Sequence, residues 1–239
     1  MTAKALLLDL DRTLVDIESH VDYCAALADL HSGFLAPDGP VTPETTGWGR
    51  CTLDVIRFLV AMAGRPEYAE ASALVAGYEL DGAAHAVAMP GLAAFLDAID
   101  GVPTAVVTLC GPEAAALVLA AHGIAAGVVV ARRPDLLPKP HPDQAEAALA
   151  ALGVAPGDAV VVGDSAWDLE MARAAGVRFV GVTNGRDTTE FAGVPTVCDL
   201  AAVAVWLDLP GRASGGDAAP DGRPGAQRTR GSARSGSMS

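Results

Sequence analysis

Residues 5–16 read ALLLDLDRTLVD, an apolar run that leads directly into two acidic residues, Asp9 and Asp11. A continuous apolar run of this length is typical of a strand that is buried on both faces of a parallel sheet. Because side chains alternate along an extended chain, Asp9 and Asp11 are expected to point the same way. Neighbouring carboxylates repel each other unless a cation or a shared proton compensates. The end of this first strand is therefore a candidate functional position.

Similar apolar runs further along the chain predict four more buried strands, at residues 104–109, 127–131, 159–163 and 179–182. Proline at helix starts and glycine after helix ends predict helices between them, over residues 90–99, 112–122, 143–152 and 167–175. Strands that alternate with helices indicate an α/β fold whose core is a Rossmann-like parallel sheet.

One segment, from about residue 17 to residue 89, lacks a convincing strand and predicts helices at residues 19–31, 52–62 and 67–78. We therefore expect an inserted α-helical cap domain beside the carboxyl edge of the sheet, where ligands of such folds bind. The predicted organisation is a catalytic core of residues 1–15 and 90–209, a cap of residues 16–89, and a disordered tail of residues 210–239.

Composition limits the classes of function. The chain has 239 residues, 51% of them apolar, and a net charge of −13, which excludes general disorder and argues against nucleic-acid or anionic-membrane partners. Its cysteines are widely spaced and suggest neither a zinc site nor a disulfide framework: Cys24, Cys51, Cys110 and Cys198. With neither a signal peptide nor a membrane span in the sequence, we expect a cytoplasmic protein.

A second acidic pair follows the apolar run at residues 159–163. Asp164 lies at the predicted strand end, and Asp168 follows one helical turn later, near a helix start. Oxygen ligands from two strand ends suit a hard cation that binds few protein carboxylates, such as Mg²⁺. Asp9, Asp11, Asp164 and Asp168 are therefore the candidate metal ligands.

Two more residues have the chemistry to bind a phosphate group. Thr108 ends a predicted strand, where its hydroxyl and nearby backbone N–H groups can hold a phosphate oxygen. Lys139 lies between two prolines in LPKPHP, residues 137–142, and the chain has one other lysine, Lys4. A lysine in a stiff loop of an acidic protein can neutralise a nucleophile or a phosphate.

With these residues in place, the sequence resembles the haloacid dehalogenase-like hydrolase superfamily, in the helical-cap branch that includes phosphoglycolate phosphatase. The resemblance covers roughly residues 6–207 and rests on four motifs in order: DLDRTLVD at residues 9–16, the strand-end Thr108, the K-P-x-P loop at Lys139, and GDSAWD at residues 163–168. It implies a Mg²⁺-dependent phosphatase acting on a small phosphorylated metabolite.

The resemblance also implies roles for single residues. Asp9 would be the nucleophile that forms an aspartyl-phosphate, and Asp11 the general acid and then base. Mg²⁺ would be held by Asp9, the backbone carbonyl of Asp11, and Asp164, with Asp168 in support. Thr108 and Lys139 would bind phosphoryl oxygens.

The sequence argues against some of the other reactions that proteins of this family catalyse. Asp11 disfavours dehalogenation, and the lack of any lysine between Lys4 and Lys139 excludes a Schiff-base phosphonate hydrolase. A sugar-phosphate mutase and a non-catalytic binding protein of this fold remain alternatives. Arg12 departs from the family, which usually has glycine there, and we expect its side chain to point outward.

In the cap, the sequence TGWGR at residues 46–50 precedes a predicted helix. We expect Arg50 to face the core and to bind a carboxylate or a second phosphate of the substrate; the alternative is that it lies on the surface of the cap. Trp48 either covers an apolar or sugar face of the substrate or packs in the cap core.

Overall fold

The computed structural model describes residues 3–36 and 38–208. Its strands are β1 (Ala5–Leu8), β2 (Val15–Asp16), β3 (Val87–Ala88), β4 (Thr104–Val107), β5 (Val128–Val130), β6 (Ala159–Gly163), β7 (Arg178–Val182) and β8 (Thr196–Val197). Its α-helices are α1 (Tyr23–Gly33), α2 (Arg50–Met62), α3 (Tyr68–Ala83), α4 (Leu92–Ala98), α5 (Pro112–Ala121), α6 (Asp143–Leu152), α7 (Ala166–Ala174) and α8 (Leu200–Trp206).

Six strands form a parallel sheet in the order β5-β4-β1-β6-β7-β8, with β1 near the centre. Leu6 and Leu8 of β1 belong to a buried cluster with apolar residues of α4, α5 and α8. Leu7, on the opposite face, belongs to a cluster with residues of α6 and α7. Helices thus cover both faces, which confirms the predicted Rossmann-like α/β core.

Three two-residue strands were not predicted from the sequence. β2 and β3 form an antiparallel pair, with Val15 opposite Ala88, where the chain enters and leaves the helical segment formed by α1, α2 and α3. Two residues are too few to show an alternating pattern, so the sequence carries no periodic signal for them. The two-residue strand β8, at the edge of the main sheet, escaped for the same reason.

Helices α1, α2 and α3 share an apolar cluster of their own, which includes Leu30, Phe58 and Val75. Trp167, at the start of α7, is fully buried in that same cluster, so the core contributes a side chain to the helical segment. Helix α3 extends five residues beyond the predicted end at residue 78.

The structure corrects one inference from the cysteines. Cys24 near the start of α1 and Cys51 near the start of α2 form a disulfide, which their wide spacing in the sequence did not suggest. The pairing depends on the packing of α1 against α2, which spacing alone cannot show. A cytoplasmic location stays a prediction.

Three other points concern the extent of the chain. Among residues 3–36 and 38–208, no helix has the length and apolar character needed to cross a membrane. The tail predicted from residue 210 lies outside the described residues. The domain bounds at residues 15, 89 and 209 stay predictions.

A buried ion pair joins α3 to the core. Glu79, on α3, accepts hydrogen bonds on both carboxylate oxygens from Arg132, which follows β5, at 2.7 and 2.9 Å. Arg132 also donates to the hydroxyl and carbonyl of Ser72 and to the carbonyl of Leu109. The backbone N–H of Gly111 donates to Glu79 at 2.7 Å. Both charged side chains are therefore buried with their hydrogen-bonding groups satisfied.

Replacing Arg132 with methionine should destabilise the protein by about 3–5 kcal/mol, because it leaves the carboxylate of Glu79 buried without its partner. The double replacement Arg132→Met, Glu79→Met should recover much of that loss, since it removes both charges. Urea unfolding followed by circular dichroism measures the free energies.

The matched control is Arg173→Met, which breaks the exposed pair between Arg173 and Glu170 and should change stability by less than about 0.5 kcal/mol. A loss at Arg132 as small as at Arg173 would contradict the assigned importance of the buried pair.

Candidate active site

The predicted functional residues converge at the carboxyl ends of the central strands. Asp9 follows β1, Thr108 follows β4 and Asp164 follows β6, which are neighbours in the sheet. The Asp9 N–H donates to the carbonyl of Val162, so the pairing of β1 with β6 continues to this residue. Parallel strands bring their carboxyl ends to one edge, and distant motifs meet there.

Lys139 is the centre of the cluster. Its ammonium nitrogen is bonded to Asp9 Oδ1 at 2.7 Å, Asp168 Oδ1 at 2.6 Å and the carbonyl of Val107 at 2.7 Å. The side chain is 1% exposed. Burial alone would lower the pKa of Lys139, but the carboxylates of Asp168 and Asp9 outweigh it and raise that pKa. The lysine is therefore a permanent positive charge between two acids.

Gln144, which the sequence analysis did not single out, positions the lysine loop. Its amide oxygen accepts the backbone N–H of Lys139 at 3.0 Å, and its amide nitrogen donates to the carbonyl of Thr108 at 2.9 Å. One buried side chain thus joins the Lys139 loop to the end of β4. In the sequence, Gln144 is indistinguishable from a surface glutamine in the first turn of a helix.

Asp168 is oriented by the start of α7. One of its carboxylate oxygens accepts from the hydroxyl and N–H of Ser165, and its own N–H donates back to Ser165, which is a capping box. The other oxygen is left for Lys139. Gly163 allows this approach, because a Cβ there would lie 2.5 Å from the Asp168 side chain.

Asp11 is held by the backbone that follows it. Its Oδ1 accepts the backbone N–H groups of Ile17 and Glu18 at 2.7 and 3.0 Å. Desolvation outweighs these hydrogen bonds and raises the pKa of Asp11 to about 8, whereas the pKa of Asp9 is raised to about 6, with burial as the largest cause and the charge of Asp168 next. At neutral pH the two carboxyls therefore favour different protonation states.

Arg12 has the backbone conformation for which glycine is suited. Its φ is +61°, in the left-handed region, and its carbonyl accepts from the side-chain amide of Asn184 at 2.7 Å. Contrary to the expected outward direction, its side chain is 23% exposed and donates to Glu18 at 3.1 Å. Glu18 in turn accepts the backbone N–H of Gly49, so it connects the core loop to the helical segment.

A metal ion fits the acidic cluster. Carboxylate oxygens of Asp9, Asp164 and Asp168 lie within 4.8 Å of one another, and all three residues are buried. Burial, followed by repulsion from Asp9 and Asp168, raises the pKa of Asp164 well above its usual value, although Arg186 donates to its Oδ2 at 2.9 Å. Buried carboxylates with unbalanced charge form an oxygen-only donor set of the kind that Mg²⁺ prefers. The Asp11 carboxylate is not part of this cluster.

The site opens into a cavity between the sheet edge and the helical segment. From the core, Asp9, Asp11, Thr108, Lys139 and Asp168 line it; from the helical segment, Glu18, Tyr23, Trp48, Thr52, Ile56 and Glu79 line it. Of the helical-segment residues, only Trp48 was considered from the sequence. The others come from α1, α2, α3 and the segment before α1, and no sequence motif marks them.

Arg50 is not among these residues. Its side chain is 83% exposed, and its guanidinium pairs with Asp54 one turn along α2 at 2.9 Å. The structure thus places Arg50 on the surface of the helical segment, not in the cavity that it was expected to face. Trp48 does line the cavity, and it stacks on Trp167 with a ring separation of 5.5 Å.

Comparisons with known proteins agree with this geometry. A family model described as haloacid dehalogenase-like hydrolase matches residues 3–176. Phosphoglycolate phosphatase from Rhodospirillum rubrum is 31% identical over 223 residues, which cover 87% of this chain and 92% of that protein.

Solved structures share the fold. CbbY from Rhodobacter sphaeroides, in complex with phosphate, gives a TM-score of 0.64 at 21% identity and covers 87% of this chain and all of that one. A mutant of CbbY in complex with xylulose-1,5-bisphosphate gives a TM-score of 0.62 at 19% identity, with 84% and 96% of the two chains covered. The chain is a hydrolase that belongs to the haloacid dehalogenase-like family and is similar to phosphoglycolate phosphatase.

Proposed function

We propose that the chain is a Mg²⁺-dependent phosphatase that hydrolyses a small phosphorylated metabolite through an aspartyl-phosphate on Asp9. The proposal rests on one observation: Asp9, Asp11 and Lys139 line the same cavity, and the ammonium of Lys139 donates a hydrogen bond to Asp9 at 2.7 Å. The similarity to a phosphatase over most of both chains supports it and favours hydrolysis over the mutase alternative. The complete set of reactive residues argues against a non-catalytic binding protein.

In the first step, Asp9 attacks the phosphorus of the ester. A pKa of about 6 leaves its carboxylate mostly ionised at neutral pH, as a nucleophile requires. The bond from phosphorus to the ester oxygen breaks, and Asp11, whose pKa is raised to about 8, donates its proton to the leaving oxygen. The hydroxyl of Thr108 binds a phosphoryl oxygen, and the positive charge of Lys139 offsets the charge of the phosphoryl group.

In the second step, water attacks the aspartyl-phosphate. Asp11, now ionised, accepts a proton from the water, and the bond between Asp9 and phosphorus breaks to release inorganic phosphate. The same carboxyl thus acts as acid and then as base, and each cycle returns both aspartates to their starting forms.

The Mg²⁺ ion would be held by Asp9, the backbone carbonyl of Asp11, and Asp164. When bound, it supplies positive charge that offsets the phosphoryl group and the surrounding carboxylates. Asp168 supports this arrangement through Lys139, to which it is bonded at 2.6 Å.

Asp9→Asn should lower kcat for p-nitrophenyl phosphate at least about 10⁴-fold, since the amide is not a nucleophile. The isosteric change should leave the circular dichroism spectrum unchanged. Exposed Asp81 on α3 provides the matched control, and Asp81→Asn should retain wild-type kcat. Near-wild-type turnover by Asp9→Asn would refute its assignment as nucleophile.

Asp11→Asn should lower kcat about 10²–10⁴-fold, because proton transfer to the leaving group is lost. The Mg²⁺ concentration for half-maximal activity should stay near that of the wild type, because the proposed ligand is the backbone carbonyl. A large shift in that concentration would instead assign the Asp11 carboxylate to the metal.

Asp164→Asn should show the opposite behaviour: it should raise the Mg²⁺ concentration for half-maximal activity, because one carboxylate ligand is lost. Titration of p-nitrophenyl phosphate hydrolysis with MgCl₂ measures this concentration, and Asp11→Asn is the matched comparison. An unchanged Mg²⁺ requirement in Asp164→Asn would contradict its role as a ligand.

A further inference from the structure

The helical side of the cavity indicates what kind of phosphate ester fits. Building on the proposed function, we infer that the organic part of the substrate is uncharged, and that esters with a second anionic group, such as a carboxylate or a second phosphate, are discriminated against. The argument rests on the residues that line the cavity and on where the nearby cations are bonded.

The first observation is the apolar and neutral character of the lining. Tyr23, Thr52 and Ile56 are buried residues of α1 and α2 that face the cavity together with Trp48. Burial raises the pKa of the Tyr23 hydroxyl well above its usual value, so this group stays neutral. Trp48 is supported from behind by its stack on Trp167. These side chains offer an aromatic face and hydroxyl groups, which suit a hydroxylated or apolar leaving group.

The second observation is that both charged residues on this side are acidic. Glu18 and Glu79 are among the lining residues, and the carboxylate of each is already paired with an arginine, Arg12 and Arg132 respectively. Arg132 is 2% exposed, and its bonds to Glu79, Ser72 and Leu109 leave it no free direction toward a ligand. Neither arginine is among the residues that line the cavity.

The third observation concerns the other cations near the site. In the described ranges 3–36 and 38–208, the cation among the lining residues is Lys139, which Asp9 and Asp168 already engage. Arg186, which donates to Asp164 at 2.9 Å, is not among the lining residues. Arg50 and Arg57 of α2 pair with Asp54 and Glu44 outside the cavity.

A second anion would consequently lose its hydration in this cavity without gaining a counter-charge. Burying a charge without a partner costs much more free energy than burying a hydroxyl group, and this difference discriminates against the charged ligand. A hydroxyl group in the same position can hydrogen-bond to the hydroxyl of Thr52. The cavity thus selects the neutral ester by penalising the charged one.

The test compares kcat/KM for two esters of nearly equal size: 2-phosphoglycolate and 2-hydroxyethyl phosphate, in which a neutral hydroxymethyl group replaces the carboxylate. The wild-type enzyme should favour 2-hydroxyethyl phosphate about tenfold or more. An equal or higher kcat/KM for 2-phosphoglycolate would overturn the inference while leaving the proposed phosphatase intact. Failure to hydrolyse these two esters and p-nitrophenyl phosphate would instead overturn the proposed function.

Two variants test the electrostatic cause. Thr52→Lys adds a cation to the lining, and Glu79→Gln removes a negative charge while keeping similar hydrogen-bonding groups and leaving the charge of Arg132 uncompensated. Both should shift the ratio of the two kcat/KM values toward 2-phosphoglycolate. Using both guards against misfolding of either one, and a ratio unchanged in both would overturn the inference.

Arg50→Ala is the matched control on the surface of α2. It should leave the ratio of the two kcat/KM values unchanged, because Arg50 lies outside the cavity. A selective loss of activity toward 2-phosphoglycolate in this variant would show that Arg50 binds the second anion, and would overturn the inference.

Discussion

The site depends on the hydrogen bonds that the ammonium group of Lys139 donates to Asp9 and Asp168. Three acidic side chains converge where β1 and β6 end, and their charges would oppose the packing of the strands without compensation. Lys139 supplies that charge from a third loop, which Gln144 attaches to the end of β4. The same contacts that allow the acids to be buried also hold the Asp9 side chain at the cavity.

The helical segment is connected to this centre through charged residues rather than through apolar packing alone. Glu79 joins α3 to Arg132 and to the N–H of Gly111, and Glu18 joins Arg12 to the N–H of Gly49. Glu18 and Glu79 are also among the residues that line the cavity, so the side chains that attach the segment to the core are part of the candidate site.

Much of the core was predictable from the sequence because it depends on apolar runs within short segments and on the parallel arrangement of the strands. Continuous apolar runs marked β1, β4 and β6, and parallel strands bring their carboxyl ends to one edge. Asp9, Thr108 and Asp164 therefore had to lie near one another once the sheet was predicted. Arg12 shows the limit of such inference, since neither its left-handed backbone nor the direction of its side chain was predicted from the sequence.

The sequence by itself determined the α/β core, the helical insertion and the acids and lysine of the candidate site, because apolar periodicity and strand-end motifs are properties of short segments. Only the tertiary structure decided which charges meet. Arg50 and Arg132 look equivalent in the sequence, yet one pairs with Asp54 in solvent and the other is buried against Glu79. The disulfide between Cys24 and Cys51 is likewise a pairing that only the tertiary structure shows. Such pairings depend on distances between residues far apart in the chain, and only the packing of α1, α2 and α3 on the sheet sets those distances.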